Sequence, residues 1–174
     1  MKKIAKPSPA HIPDFYKPYL DCVPGDENLI KNLVDILNET EQLILTLPEE
    51  KLLHRYSPGK WSIKDIINHL SDCERIIIYR ALRIARADKT DLPGFDEDHF
   101  AKHTQADNRN ARDLLNELRA CRMSSIALIE TMDNEALNRN GTANGYPISA
   151  RLLVNHLYGH HRHHLNVLRE RYLV

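Results

Sequence analysis

The sequence has no excess of either charge: 24 Lys and Arg offset 24 Asp and Glu in 174 residues. Without a net field, neither a nucleic-acid phosphate backbone nor an anionic membrane surface is an expected partner. Cysteine is scarce. Cys22, Cys73 and Cys121 are widely spaced and form no CxxC pair, which argues against a disulfide framework or a zinc ribbon and suits a reducing, cytoplasmic setting. Long apolar runs are missing as well. No stretch reaches the ~18 uncharged apolar residues that read as a membrane span. The basic start at Lys2 and Lys3 leads into prolines instead of the apolar segment of a secretory signal. Strand patterns longer than a few residues, internal repeats and low-complexity tracts are also absent. What remains is an ordinary globular composition, 42% hydrophobic, in a chain long enough to bury a real core in one domain.

Histidine is the residue in surplus. The ten histidines are roughly two to three times ordinary usage, and five of them are His156, His160, His161, His163 and His164.

Residues 1–25 hold prolines 7, 9, 13, 18 and 24 and read as an extended arm, whose Phe15, Tyr16, Tyr19 and Leu20 can pack on a domain spanning 26–174. From Asp26 the apolar residues recur at three and four, from Leu29 through Leu47, until Pro48 ends the run. Ser62 with Asp65 resembles a capping box that opens a second helix, running to about Asp88. A loop rich in Asp, Gly and Pro follows, with a short helical turn near 96–102. The third helix spans about Asn110 to Met132. Asn140-Gly141 and Asn144-Gly145 mark two tight turns in a small hairpin-like excursion, and Ser149 caps a fourth helix reaching about Tyr172. Four helices of about 20 residues without strands predict an all-α four-helix bundle, with connections long enough for one or two crossovers.

On the fourth helix, Leu153, Leu157, His160, His164, Val167 and Leu168 share one stripe. His160 and His164 thus interrupt a core-facing row, one turn apart and close enough to grip one ion. Two imidazoles side by side on a buried stripe need partners, and protonating both would juxtapose like charges. A divalent cation resolves the conflict. Two ligands make a weak site, so a third is expected from another helix, and His69, at the border of the second helix's apolar face, is the best candidate. Glu74 falls within that apolar face, where it either pairs with an arginine or stands near the metal. His156 and His163 flank the stripe as further ligands or their supports. His161 projects off it and reads as an ordinary packed or surface imidazole. His99 and His103 form a second i, i+4 pair, read as surface residues. The arginines of the second helix read as a solvated face. Gly159, inside a helix, permits close approach of a neighbouring backbone beside the histidines.

The segments KWSIKDIINHLSDCE and GTANGYPISARLLVNHLYGHHRHHLNVLRERYL resemble the DinB-like (DinB/YfiT-like) superfamily, over about residues 26–174. The matching positions are Trp61, Ser62, Asp65, His69, Asp72 and Glu74, and then His160 and His164. The resemblance implies a crossover four-helix bundle in which His69, His160 and His164 bind a divalent metal, zinc or nickel. It also implies a metal-dependent enzyme, either a thiol S-transferase using a low-molecular-weight thiol of the bacillithiol or mycothiol kind, or a hydrolase. A small-molecule substrate and a homodimer accompany that reading, with Asp65 or Glu74 orienting a ligand. Asp65 stands where the family more often has Glu. The competing expectation is a non-catalytic metal-binding bundle serving as a structural, sensor or dimerisation module.

Overall fold

The computed structural model describes residues 2–173. The N-terminal segment turns through 3-10 helices at Pro9–His11 and Asp14–Tyr16 into a short helix, α1 (Lys17–Asp21). It is therefore not extended along its length, as its prolines suggest. Pro9 and Pro18 sit in first turns of helices, where the missing N–H has no intrahelical partner to lose. Ile4, Tyr16, Leu20 and Val23 are buried and anchor this segment in the core.

Helix α2 (Leu29–Leu45) buries Leu29, Ile30, Leu33, Ile36, Leu37, Thr40 and Ile44, the three-and-four spacing that puts one stripe inward. After the single turn α3 (Glu49–Leu52) comes the longest helix, α4 (Ile63–Ala85). Its start is a full capping box: Ser62 Oγ accepts from Asp65 N at 3.0 Å, and Asp65 Oδ2 accepts from Ser62 N at 3.0 Å. Next are α5 (Glu97–Lys102), α6 (Ala111–Glu130) and α7 (Asn134–Asn138). Strands β1 (Asn140–Ala143) and β2 (Tyr146–Ser149) pair antiparallel. Asn144 and Gly145 both have positive φ, 52° and 76°, as a two-residue type I′ turn requires, whereas Asn140 and Gly141 form no turn: they pair with Ser149 and Ile148 in the ladder, where strand pairing overrides the local turn preference. Finally α8 (Ala150–Val167) begins at Ser149, whose hydroxyl accepts from Leu152 N, and continues as a π-helical turn over Leu168–Tyr172.

The four long helices are not arranged in sequence order. Helix α4 packs against α6 and α8, and α2 packs against the same two, so α2 and α4 lie across a diagonal, as do α6 and α8. The connections α2–α4 and α6–α8 both cross the bundle, and only α4–α6 joins neighbours in the direct way. Leu92, in the α4–α5 loop, is stitched to the hairpin: its N–H donates to Thr142 O and its carbonyl accepts from Asn144 N, both at 3.0 Å.

One buried polar cluster ties all four helices together. Arg122 of α6 donates from Nε and Nη2 to Glu74 of α4 at 3.0 and 2.9 Å, and from Nη1 to Leu33 O of α2 at 3.0 Å. Its Nη2 also lies 3.1 Å from Nδ1 of His161 on α8, whose Nε2 meets Thr40 Oγ1 of α2 at 2.9 Å. A fork of donors matched to a carboxylate, with the remaining atoms satisfied, is the geometry in which a buried ion pair is tolerated.

Candidate metal centre

The box at Ser62 fixes where α4 starts and hence the phase that turns His69 toward α8. On α8, His160 and His164 follow one another by a turn. Nε2 of His160 lies 3.1 Å from Nε2 of His69 and 3.1 Å from Nε2 of His164. One ligand atom from each of the three falls within 4.8 Å of the others. The His69 and His160 rings are buried, and His164 is half-buried.

Neutral imidazoles alone cannot satisfy this arrangement. Each Nε2 carries either a proton or one in-plane lone pair, so His160 Nε2 can make at most one good hydrogen bond with its two neighbours. Protonating the rings is opposed by burial, which lowers the pKa of His69 to about 4 and those of His160 and His164 well below the usual value, with the other histidines adding to the effect on the latter two. Three lone pairs facing one point suit a cation instead. Two nitrogens bound tetrahedrally at about 2.0–2.1 Å stand about 3.3 Å apart, close to the spacing found. The donor set therefore fits a divalent ion with imidazole ligands.

The triad opens onto a cavity of about 150 Å³. Aromatic side chains form much of its wall, Phe15, Tyr16 and Tyr19 from the N-terminal segment, Trp61 before α4 and Phe95 from the α4–α5 loop, with Arg80, Glu97 and Asn144 adding polar groups. The Trp61 ring centroid is 4.6 Å from that of His69, and its Nε1 donates to Asp98 of α5 at 3.0 Å, which holds α5 over the site. Tyr19 packs its ring against His156, His160 and His163 at 4.8, 5.7 and 5.2 Å. That contact depends on Gly159: a Cβ there would sit 2.1 Å from Tyr19 O, the close backbone approach this glycine suggests. Cys73 lies one turn from His69, its Sγ 3.5 Å from Nε2, and burial pushes its thiol pKa up, so it stays protonated.

The remaining expected residues separate. His156 lines the cavity, buried, with Nδ1 unpartnered among the described residues and its pKa lowered to about 3 by burial and by the charge of Arg80. His163 is at the edge, its ring 5.3 Å from that of His164 and 5.2 Å from Tyr19. Glu74 does not reach the triad: it is held by Arg122, the arginine pairing that its place in an apolar stripe allows. Asp65 is likewise taken up elsewhere, by the helix cap and by Arg55 Nη2 at 3.0 Å, because a carboxylate at the third helical position folds back on the N-terminus. His161 is packed and satisfied in the Arg122 cluster. His99 on α5 and His103, which caps its C-terminus, are exposed, with His103 Nδ1 bonding His99 O.

Several cavity residues escape a reading by pattern alone. Arg80, read with its neighbours as a solvated arginine, is buried and lines the cavity. The signal was present: His69, Cys73, Ile77 and Arg80 recur at three and four, and 11 residues at 100° each return within about 20° of the same direction. Tyr19 and Glu97 carry no such signal, because they reach the site from separate segments.

Fold and site together define a crossed four-helix bundle with an inward-facing histidine triad of the kind that suits a divalent metal. The chain belongs to the DinB superfamily, whose family model matches residues 32–168. Among solved structures it is similar to YfiT from Bacillus subtilis, described as a probable metal-dependent hydrolase with an unusual four-helix bundle topology. The TM-score is 0.77 at 16% identity, over 96% of this chain and 91% of that one, a likeness of fold. A protein of Oceanobacillus iheyensis named "Putative metal-dependent hydrolase" is 26% identical over 73 residues, 41% of this chain. The match spans 42% of that relative's length.

Proposed function

We propose that this chain is a metal-dependent hydrolase of small molecules, with zinc or nickel held by His69, His160 and His164. The observation that carries the reading is the convergence of three neutral imidazole nitrogens at the wall of an aromatic-lined cavity. Three protein ligands leave room for water or substrate, as in catalytic sites and unlike closed structural ones. The hydrolase names of the two relatives support the same class.

A divalent ion held there supplies Lewis-acid polarisation of a substrate carbonyl and lowers the pKa of water. The chain's own groups do the rest. Glu97, the one carboxylate lining the cavity among the described residues, takes the proton from attacking water at a carboxylate oxygen and returns it to the leaving amine or alkoxide as the carbonyl–heteroatom bond breaks. The Tyr19 hydroxyl, kept protonated because burial raises its pKa, donates from Oη to an oxygen on which charge develops. Phe15, Tyr16 and Phe95 restrict water and orient the substrate by shape.

Metal analysis of protein purified without a His-tag tests this first. About one ion per chain is expected, lost in His69→Ala and His160→Ala. An absence of stoichiometric metal, or unchanged binding in both variants, overturns the metal reading. The loaded protein is then offered amides and esters with and without a bacillithiol-type thiol. Turnover in water alone supports hydrolysis, turnover that requires the thiol shifts the assignment to thiol transfer, and metal binding without any turnover supports a structural or sensing role.

A further inference from the structure

Arg80 differs from the chain's other deeply buried arginine. Arg122 is fully matched to Glu74, whereas Arg80, 6% exposed, has one hydrogen-bond partner among the described residues, the backbone carbonyl of Pro93. No carboxylate among those residues forms an ion pair with it, and its carbon Cζ stands 5.9 Å from the Phe95 ring centroid. A guanidinium has five N–H donors in one plane. Its unpartnered nitrogens are not sealed from solvent but open onto the spaces that Arg80 lines, the cavity that holds the triad and a more open groove with Tyr79, Leu92, Pro93 and Phe95, so they are free to meet a ligand.

The position follows from the helix. Arg80 is 11 residues beyond His69 on the same face of α4, about 16 Å along the axis at 1.5 Å per residue. Helical side chains lean toward the N-terminus, which brings the long Arg80 side chain back along the wall toward His156 and the histidines. The cavity thus has a cationic end at Arg80 and the triad at another part of its wall, with Tyr16 and Tyr19 lining the space as well. Glu97 lines the same cavity without pairing with Arg80.

We propose that Arg80 is a substrate-binding residue that anchors a carboxylate, so that the cavity selects small amides or esters carrying a negative charge at the end remote from the bond cleaved. A cavity of about 150 Å³ is below the ~300 Å³ at which drug-sized ligands begin to fit, so the substrate is of amino-acid-derivative size. A planar carboxylate accepts two parallel N–H bonds from a guanidinium, a match that a lysine does not reproduce. The catalytic side of this assignment rests on the hydrolase reading. Anion binding does not, since Arg80 carries its charge with or without a metal.

The test compares N-acetylglycine with its neutral isostere N-acetylglycinamide by calorimetric titration of the whole chain, both metal-free and zinc-loaded. Metal content is measured separately, so that failure of the metal reading is visible on its own. In the metal-free protein, where a carboxylate has no ion to bind, N-acetylglycine is expected to bind at least tenfold more tightly than the amide. Arg80→Gln should remove that preference, leaving the amide's affinity within about twofold, and Arg80→Lys should restore only part of it. Thermal melts report whether each variant is folded. Equal binding of the two probes, no saturable binding of N-acetylglycine, or a preference that survives in folded Arg80→Gln overturns the proposal.

Discussion

Replacing Arg122 by Met is a severe test of how this bundle is held together. Arg122 and Glu74 are 1% and 3% exposed, so the change leaves a carboxylate in the core without its partner. Breaking a buried pair on one side costs about 3–5 kcal/mol. Leu33 O and His161 Nδ1 also lose their contacts to Arg122, adding about 1 kcal/mol or more. The expected loss is about 4–5 kcal/mol, or about 8–20 °C in Tm at 2–4 °C per kcal/mol for a chain of this size. Urea unfolding followed by circular dichroism measures it, provided the m-value is unchanged. The double variant Glu74→Leu with Arg122→Met removes both charges and should recover to within about 1 kcal/mol of the parent or exceed it. A loss under 1 kcal/mol in the single variant refutes the reasoning. A double variant as unstable as the single one shows that packing, not the orphaned charge, carries the effect.

Acid should unfold the metal-free chain early. His69 and His156 have folded pKa values of about 4 and about 3 against 6.5, so the unfolded state binds their protons first. The stability they contribute is complete above pH 6.5 and is lost as pH falls toward those values, about 2 kcal/mol from each by pH 5; a urea midpoint constant from pH 7 to 5 contradicts this. Gly159→Ala opposes two effects. Helix propensity favours Ala by about 1 kcal/mol, but the added Cβ at 2.1 Å from Tyr19 O forces α1 away, and overpacking costs about 1–3 kcal/mol or more. A lowered Tm and altered Tyr19 resonances are expected, whereas a raised Tm shows that the approach is not tight. His164→Ala should abolish stoichiometric metal, measured by mass spectrometry, while Glu97→Gln keeps the metal and loses turnover; loss of metal in Glu97→Gln would make it a ligand.

Much of the architecture was legible in the chain because it depends on neighbours in sequence. The spacing of Leu29, Leu33, Ile36 and Leu37, the Ser62–Asp65 cap and the Asn144-Gly145 turn are local devices, and each forms as its residues suggest. The His160–His164 pair is local as well, since one helical turn brings the rings together wherever α8 lies. His69 could be nominated only because it borders an apolar face.

Other features depend on which face meets which. Glu74 looked equally suited to the metal or to an arginine, and the diagonal placement of α4 and α2 settled it by setting Arg122 of α6 against it. Arg80 resembled its solvated neighbours until the α4–α5 loop folded back over it, burying the side chain beneath Phe95 and Pro93. The aromatic residues of the N-terminal segment suggested packing on the domain without saying where, and the fold makes Phe15, Tyr16 and Tyr19 cavity wall.

By itself the sequence determined the helices, their caps and the stripe of histidines, because a helix has a fixed period and its ends need partners within a turn. The tertiary structure alone decided the crossed order of the helices, the 3.1 Å meeting of His69 with His160 and the cavity that joins them to Arg80, because each requires surfaces far apart in the chain to bury one another.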